Sequence, residues 1–236
     1  MFGCLGLNTG TPEHPNTIMN VLIIAHGEPP SVELLRRLAS DSDMVIATDG
    51  AANTLIPLGI LPHVVLGDFD SLDPAVRAQN LGIQYVAAEI QEASDLDKAI
   101  AHALEMGAVR LRIAGAAGGR MDHTLTNASL LLKYHNAADI VLVDDRGITR
   151  AVAGEATFQG EVGDTLSLIP FAPAKIGWTE GLKWPLQGEA LLPGSRGVSN
   201  VFIKEEARIR VESGIVLVCH LRNQHLPPEP DEVTPG

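Results

Sequence analysis

Cysteine is nearly missing from this chain. Cys4 and Cys219 are the only two in 236 residues, too few for a disulfide framework or a structural zinc site, and a reducing cytoplasm is the compartment that fits such scarcity. Positive charge is short as well: 17 Lys and Arg stand against 29 Asp and Glu, a formal net charge of -12. That balance argues against nucleic acid or an anionic membrane as the main partner. A phosphate substrate would have to be held locally, by a cation and a few placed Arg and Lys side chains, because the global field repels anions. No apolar run approaches the roughly 20 residues of a membrane span. Residues 1–19 lack the charged and long apolar regions of a secretion signal and read as a flexible extension, with Met19 as an alternative start. Several catalytic signatures are absent too. GxxxxGK(S/T), HExxH, GxSxG and CxxC do not occur, so an ordinary P-loop, zinc hydrolysis, serine acyl transfer and dithiol chemistry have no support.

What is present divides into two patterns. From Asn20 to Gly147, β-branched runs alternate with helix-like stretches, the mark of parallel βαβ units. Strands are expected at Val21–Ala25, Met44–Thr48, Val64–Leu66, Gln84–Ala87, Val109–Ala114 and Ile140–Val143. Helices are expected at Val32–Ala39, Asn53–Leu58, Pro74–Asn80, Leu96–Met106 and Leu125–Tyr134. After Ile148 short alternating runs broken by Gly and Pro point to a smaller β-sandwich or barrel, residues 148–223, and residues 224–236, rich in Pro and acid, to a disordered tail. The expected fold class is therefore α/β: a parallel-sheet α/β domain, residues 20–147, followed by a C-terminal β-sandwich domain.

Four stretches carry chemistry. GDFDS, residues 67–71, follows an apolar run and sets Asp68 and Asp70 one residue apart. In an extended segment the two carboxylates share a face while Phe69 turns toward the core, and such a pair suits magnesium bound together with phosphate oxygens. In TDGAAN, residues 48–53, Asp49 follows a strand and could join the pair, Gly50 permits close approach to the backbone, and Asn53 could contact a nucleotide. An ordinary strand-to-helix turn explains the same dipeptide. QEASDLDKA, residues 91–99, has Ser94 and Asp97 at capping-box spacing and places Asp95 where it could add a metal ligand or proton acceptor; Gln91 precedes the cap and Lys98 follows one turn later. GAAGGRMDHTLTN, residues 115–127, is a Gly-rich loop leading into a helix N-terminus, a place for phosphate, with Arg120 as a planar clamp. There Asp122 reads equally as an N-cap, and His123 and Asn127 as a solvated helix face.

Taken in order, TDGAAN, GDFDS, SDLDKA and GGRMDHTLTN, extended by GLKWPL at 181–186 and VSN at 198–200, resemble the thiamine pyrophosphokinase family. The resemblance implies an α/β domain followed by a β-sandwich, a homodimer, and transfer of a diphosphoryl group from ATP to the thiamine hydroxyl with release of AMP. It implies that Asp68, Asp70, Asp95 and Asp122 hold Mg2+, beside Asp49, and that Asp68, Asp70 and Asp95 serve as catalytic acids. Asp49, Asn53, Gln91, Ser94, Lys98, Arg120, His123 and Asn127 would then lie around ATP, and Ser199 and Asn200 would help form the thiamine pocket near the dimer interface. Trp178 and Trp184 are candidates for stacking on thiamine, although a Trp in a β-rich domain more often belongs to the core. Two other functions keep the same motifs: a diphosphokinase for another hydroxymethyl heterocycle such as a pterin, and a non-catalytic Mg-ATP sensor.

Overall fold

Six parallel strands form the first half of the molecule: β1 (Met19–Ile24), β2 (Met44–Thr48), β3 (Val64–Gly67), β4 (Gln84–Ala87), β5 (Ala108–Ala114) and β6 (Asp139–Val143). They lie in the order β4-β3-β2-β1-β5-β6. The structure is a computed structural model and describes residues 19–79, 81–87 and 93–223. Because helices cover both faces of such a sheet, its inner strands read as continuous apolar runs rather than alternating ones; all four residues of Val64–Gly67 are buried.

The helices are α1 (Val32–Ser40), α2 (Ala52–Leu55), α3 (Pro74–Arg77), α4 (Asp95–Glu105) and α5 (Met121–Lys133). Ser31 caps α1 by accepting from Leu34 N at 3.3 Å, and the spacing of Leu34, Leu35 and Leu38 turns one face onto the sheet. Ser94 caps α4 in the same way, through Asp97 N. The Asp97 carboxylate does not close a capping box. It accepts instead from Lys133 Nζ at 2.7 Å and Tyr134 Oη at 2.6 Å, which ties α4 to α5. One apolar core fills the α4–α5 face around Ile23, Ile100, Leu111 and Leu131; a second fills the α1–α2 face around Leu22, Leu34, Leu55 and Val65.

Three expected helices differ. Helix α3, expected to reach Asn80, ends at Arg77 with Ala78 as its cap. The stretch expected as a helix from Asn53 to Leu58 is a single α-turn between two 3-10 turns, since Pro57 has no N–H to continue the ladder. Helix α5 starts at Met121 rather than Leu125, because Gly118 and Gly119 both take left-handed backbone (φ 83° and 64°) and the chain enters the helix directly afterwards.

The second half is all strand: β7 (Gly147–Gln159), β8 (Thr165–Pro170), β9 (Ala174–Glu180), β10 (Gln187–Leu191), β11 (Asn200–Val201) and β12 (Glu206–Leu221). The turn from β6 to β7 is fixed by Asp144, whose Oδ1 accepts from Arg146 N and Gly147 N at 2.8 and 2.9 Å. Strand β12 pairs with β7 along its length, with β9 in its first part and with β8 in its last. The change occurs at a register shift between Val211 and Val216, where Gly214 has φ 81°. A third core, with Phe158, Leu168, Ile176, Phe202, Ile209 and Val218, lies inside this region. The β-rich half is thus hydrogen-bonded to the parallel sheet in one ladder through β6 and β7. No helix among the described residues is long and apolar enough to cross a membrane.

Candidate active site

Chain direction across the sheet reverses at β1: the chain proceeds from β1 through β2, β3 and β4 on one side and through β5 and β6 on the other. The loops after β1 and β5 therefore diverge, and the crevice beyond their carboxyl ends is where open α/β sheets bind ligands. The acids gather beside it.

Asp49 stands directly after β2, and Asp68 and Asp70 directly after β3. The three carboxylates bring oxygens within 4.8 Å of one another. Gly67 makes this approach possible, since a Cβ there would fall 2.6 Å from the Asp49 Cβ. Asp68 and Asp70 converge, but not by the expected extended geometry. The strand ends at Gly67, and Phe69 takes φ 65°, a left-handed conformation costly for a bulky residue. Its ring packs edge-on against Tyr85 at 5.9 Å and lies under the Arg77 guanidinium at 5.0 Å, so apolar and cation–π contacts hold the turn. Asp68 Oδ1 accepts from Asp70 N at 3.2 Å, and Asp70 Oδ1 from Ser71 Oγ at 2.9 Å.

Asp49 is the buried member, 3% exposed. Its Oδ2 accepts from Ser71 N at 3.3 Å, while its Oδ1 is buried with no hydrogen-bond partner. Burial pushes its carboxyl above the ordinary value, the Ser71 N–H opposes this, and the charges of Asp68, Asp70 and Asp95 add to the rise. Asp68 moves the other way, held down chiefly by the Asp70 N–H. A buried, unpartnered carboxylate oxygen among three acids fits a hard divalent cation, whose charge would reverse the penalty.

Asp95 and Asp122, expected as further metal ligands, are placed differently. Asp95 stands at the first position of α4, close enough to raise Asp49, but outside the tight group of three; it pairs with Lys98 at 3.3 Å, whose side chain is only 12% exposed. Asp122 is bound by Arg120 through Nε at 3.1 Å and Nη2 at 2.5 Å. That pairing drives the Asp122 carboxyl down to about 2 and raises Arg120. Both are exposed, and His123 beside them is exposed also.

Three amides expected at ligands hold backbone. Asn53 donates to Ser71 O at 2.7 Å and accepts from Asp73 N at 2.9 Å, bracing the acid turn. Asn127 is buried and donates to Ala116 O at 2.8 Å, fixing the Gly-rich loop. Asn200 is buried, accepts from Trp184 N and Val201 N at 3.0 and 2.9 Å and donates to Trp184 O at 2.6 Å. It therefore positions Trp184, whose ring is 49% exposed rather than in the core. Ser199 is exposed and, like Phe69, left-handed (φ 58°), with its N–H donating to Ser167 Oγ at 2.9 Å. Gln91 lies outside the described residues.

The loop after β1 was not singled out from sequence. Gly27 N donates to Gly115 O at 2.8 Å and Glu28 N to Ala117 O at 2.7 Å, zipping AHGE onto the Gly-rich loop. The exposed His26 ring covers Gly50 so closely that a Cβ there would fall 2.2 Å from it, and the Glu28 side chain lies on Gly118 in the same manner. His26 thus stands between the acids and the Gly-rich loop. The signal was its place after the first strand, which becomes informative only once the strand order is known.

Family comparison agrees with this geometry. The model of the thiamin pyrophosphokinase catalytic domain matches residues 35–154, and that of the thiamin pyrophosphokinase vitamin B1 binding domain matches residues 156–216. Thiamine pyrophosphokinase of Bacillus subtilis is 29% identical over 207 residues, 83% of this chain and 95% of that protein. Thiamin pyrophosphokinase 1 of Caenorhabditis elegans is 24% identical over 221 residues, 86% of this chain and 90% of that one. The crystal structure of the Bacillus subtilis enzyme superposes with a TM-score of 0.76 at 26% identity, covering 87% of this chain and all of that one. With both domain models matched in order across the parallel sheet and the β-rich half, the chain belongs to the thiamin pyrophosphokinase family, a family of transferases.

Proposed function

We propose that the protein transfers the diphosphoryl group of Mg-ATP to the hydroxyl of thiamine, giving thiamine diphosphate and AMP. The observation that carries this reading is the buried, unpartnered Asp49 Oδ1 within 4.8 Å of Asp68 and Asp70, at the edge of the crevice that the Gly-rich loop lines. Asp49, Asp68 and Asp70 would hold Mg2+, with Asp95 beside them. When bound, the ion neutralises the phosphate charge that this acidic protein otherwise repels and withdraws electrons from the reacting phosphorus.

The chain's own residues supply position and proton transfer. Helix α5 has no side-chain cap at its N-terminus, leaving the positive end of its dipole for a phosphate. Arg120 would exchange the Asp122 carboxylate for phosphate oxygens of similar planar geometry, and Lys98, held by Asp95, adds a charge at the acid cluster. The thiamine hydroxyl oxygen attacks the β-phosphorus, the bond from that phosphorus to the α–β bridging oxygen breaks, and AMP leaves with the oxygen. Asp70 or Asp95 accepts the hydroxyl proton. Thiamine is a cation, and the exposed Trp184 ring, held by Asn200 and covered on one face by Lys183 Nζ at 4.9 Å, offers it the other π face in the β-rich half. A homodimer that completes this pocket, a division at residues 147/148 and a cytoplasmic setting belong to the same reading.

Incubation with thiamine, ATP and magnesium, followed by mass spectrometry, tests it. Equal amounts of thiamine diphosphate and AMP are expected, and neither with Asp70→Asn. AMP formed only with another acceptor, such as a hydroxymethyl pterin, or ATP bound with no AMP formed, would overturn it.

A further inference from the structure

On the α1 face of the parallel sheet, away from the acid cluster, another unpartnered charged group is buried. Strand register sets Asn20 beside Arg110, Leu22 beside Arg112, Arg110 beside Asp139, and Val141 beside both Arg112 and Arg150. Paired residues share a face, so Asn20, Arg110, Arg112, Asp139 and Arg150 all lie on the side that carries Leu22 and packs on α1. Asp139 is paired with Arg150 and, at 3.7 Å, with Arg110. The C-terminal end of α1 adds Arg37 and Asp41, whose charges act on Arg112. Four arginines thus stand around three aspartates, the third being Asp43, which accepts from Asn20 N at 2.8 Å, in a protein of net charge -12. A groove of about 430 Å³ opens beside them, lined by Arg110, Arg150, Asp139, His135 and Asn136 among others.

Arg112 is 9% exposed, and its Nη1 is buried with no hydrogen-bond partner. Burial lowers its pKa, as expected of a cation without a close acceptor. The Asn20 Oδ1, one register pair away on the same face, is likewise buried without a partner. A buried donor on a cation and a buried acceptor call for a ligand that can serve both. Hydrogen phosphate does so: it accepts from several guanidinium N–H groups and keeps one O–H to donate. Carboxylate and sulfate lack that donor at neutral pH, and a lone water would leave the excess of arginine charge uncompensated.

We propose that Arg112, with Arg110, Arg150 and Asn20, forms a second anion site, separate from the acid cluster, that takes a phosphate group. The acid cluster stands at the carboxyl ends of β2 and β3, whereas Asn20, Arg110 and Asp139 stand near the amino ends of β1, β5 and β6, Arg112 lies in the middle of β5 and Arg150 on β7. Inorganic phosphate keeps at neutral pH the O–H that the Asn20 Oδ1 requires, whereas a phosphate monoester, with a second pKa of about 6, has largely lost it, so the free ion is the ligand.

Thermal unfolding of the full chain in inorganic phosphate, in glycerol phosphate and in sulfate tests the site. Ten millimolar phosphate should raise the Tm by about 2–4 °C, more than sulfate does. The increment should persist in Arg120→Ala and Asp70→Asn, which disable the other phosphate site, and vanish in Arg112→Met. A response to inorganic phosphate that exceeds the response to glycerol phosphate supports the site; an equal response to the ester would overturn the requirement for an O–H donor. Asn20→Asp guards against misfolding of the methionine variant, since its carboxylate would itself satisfy Arg112 and remove the phosphate response while keeping the fold. Retention of the full increment in Arg112→Met, or an equal response to sulfate, would overturn the proposal. So would a change in sedimentation mass of Arg112→Met, which would make the arginines an interface between copies.

Discussion

The two ends of the parallel sheet present the same defect with opposite sign. At the carboxyl end, three acids crowd together and the buried Asp49 Oδ1 lacks a partner; toward the amino end arginines crowd around Asp139, and Arg112, in the middle of β5, has a buried Nη1 that lacks one. Native proteins pair nearly all buried polar atoms, and leaving one unpaired costs about 1–3 kcal/mol, more when it is charged. Such a cost persists where something outside the fold removes it. At the acid end the proposed magnesium would remove it, and at the arginine end the proposed phosphate would do so.

The largest effect that can separate the two ends is expected from Asp70→Asn. Transferase activity should fall by about two to three orders of magnitude, as when one group stabilising transition-state charge is removed, while the phosphate-induced rise in Tm stays. Loss of both together would show that one site accounts for both observations. Arg120→Ala should raise the KM for ATP about tenfold to a hundredfold, the scale of a charge-assisted hydrogen-bonded contact, with a smaller change in kcat. Initial rates over an ATP series measure it.

Asp49→Asn sharpens the comparison by dividing stability from activity. The folded Asp49 carboxyl ionises above the ordinary carboxylate range because it is buried, so at neutral pH its charge opposes folding. That cost fades as pH falls from the raised value toward the ordinary one, below which both states are protonated. The variant should lose activity yet, without magnesium, unfold about 2–4 °C higher at pH 7, corresponding to about 1 kcal/mol. The gain should shrink in scans at pH 4. Equal gains at both pH values would remove the electrostatic explanation. Arg110→Gln is the mildest test. Arg110 pairs with Asp139 at 3.7 Å with both side chains nearly half exposed, so stability should move by less than about 0.5 kcal/mol, while the phosphate response weakens without vanishing.

Sequence carried the acid end because its groups are local. Asp68 and Asp70 fall on one turn, and an Asp-Gly step after a strand marks Asp49. Assigning Asp122 to the metal failed to foresee that an Arg two residues earlier would take its carboxylate. Asn53, Asn127 and Asn200 were legible as important but not in role, since an amide meets a ligand or a backbone with the same groups. The arginine end was illegible for a different reason. Val109-Arg110-Leu111-Arg112-Ile113 has the alternation of a strand with one wet face, and only the neighbouring strands and α1 reveal that Arg112 is buried. The strand order that places His26 at the crevice was equally invisible, and so was the left-handed Phe69, because the packing that holds it comes from Tyr85 and Arg77.

The pairing of β12 bears on how the protein is made. Residues 206–221 leave the ribosome after every other strand, yet they form the shared seam between β7, β8 and β9 and bring Ile209, Val211, Val216 and Val218 to the third core. While translation is under way the six parallel strands can assemble, but β7 has an open edge and the β-rich half has no centre. Pairing across such separations is slow, and unpaired edges invite association with other chains. A message cut short before Glu206 would therefore yield a nascent chain with its acid motifs complete and its β-rich half unable to close. Such a product should be cleared or aggregate rather than work at reduced rate.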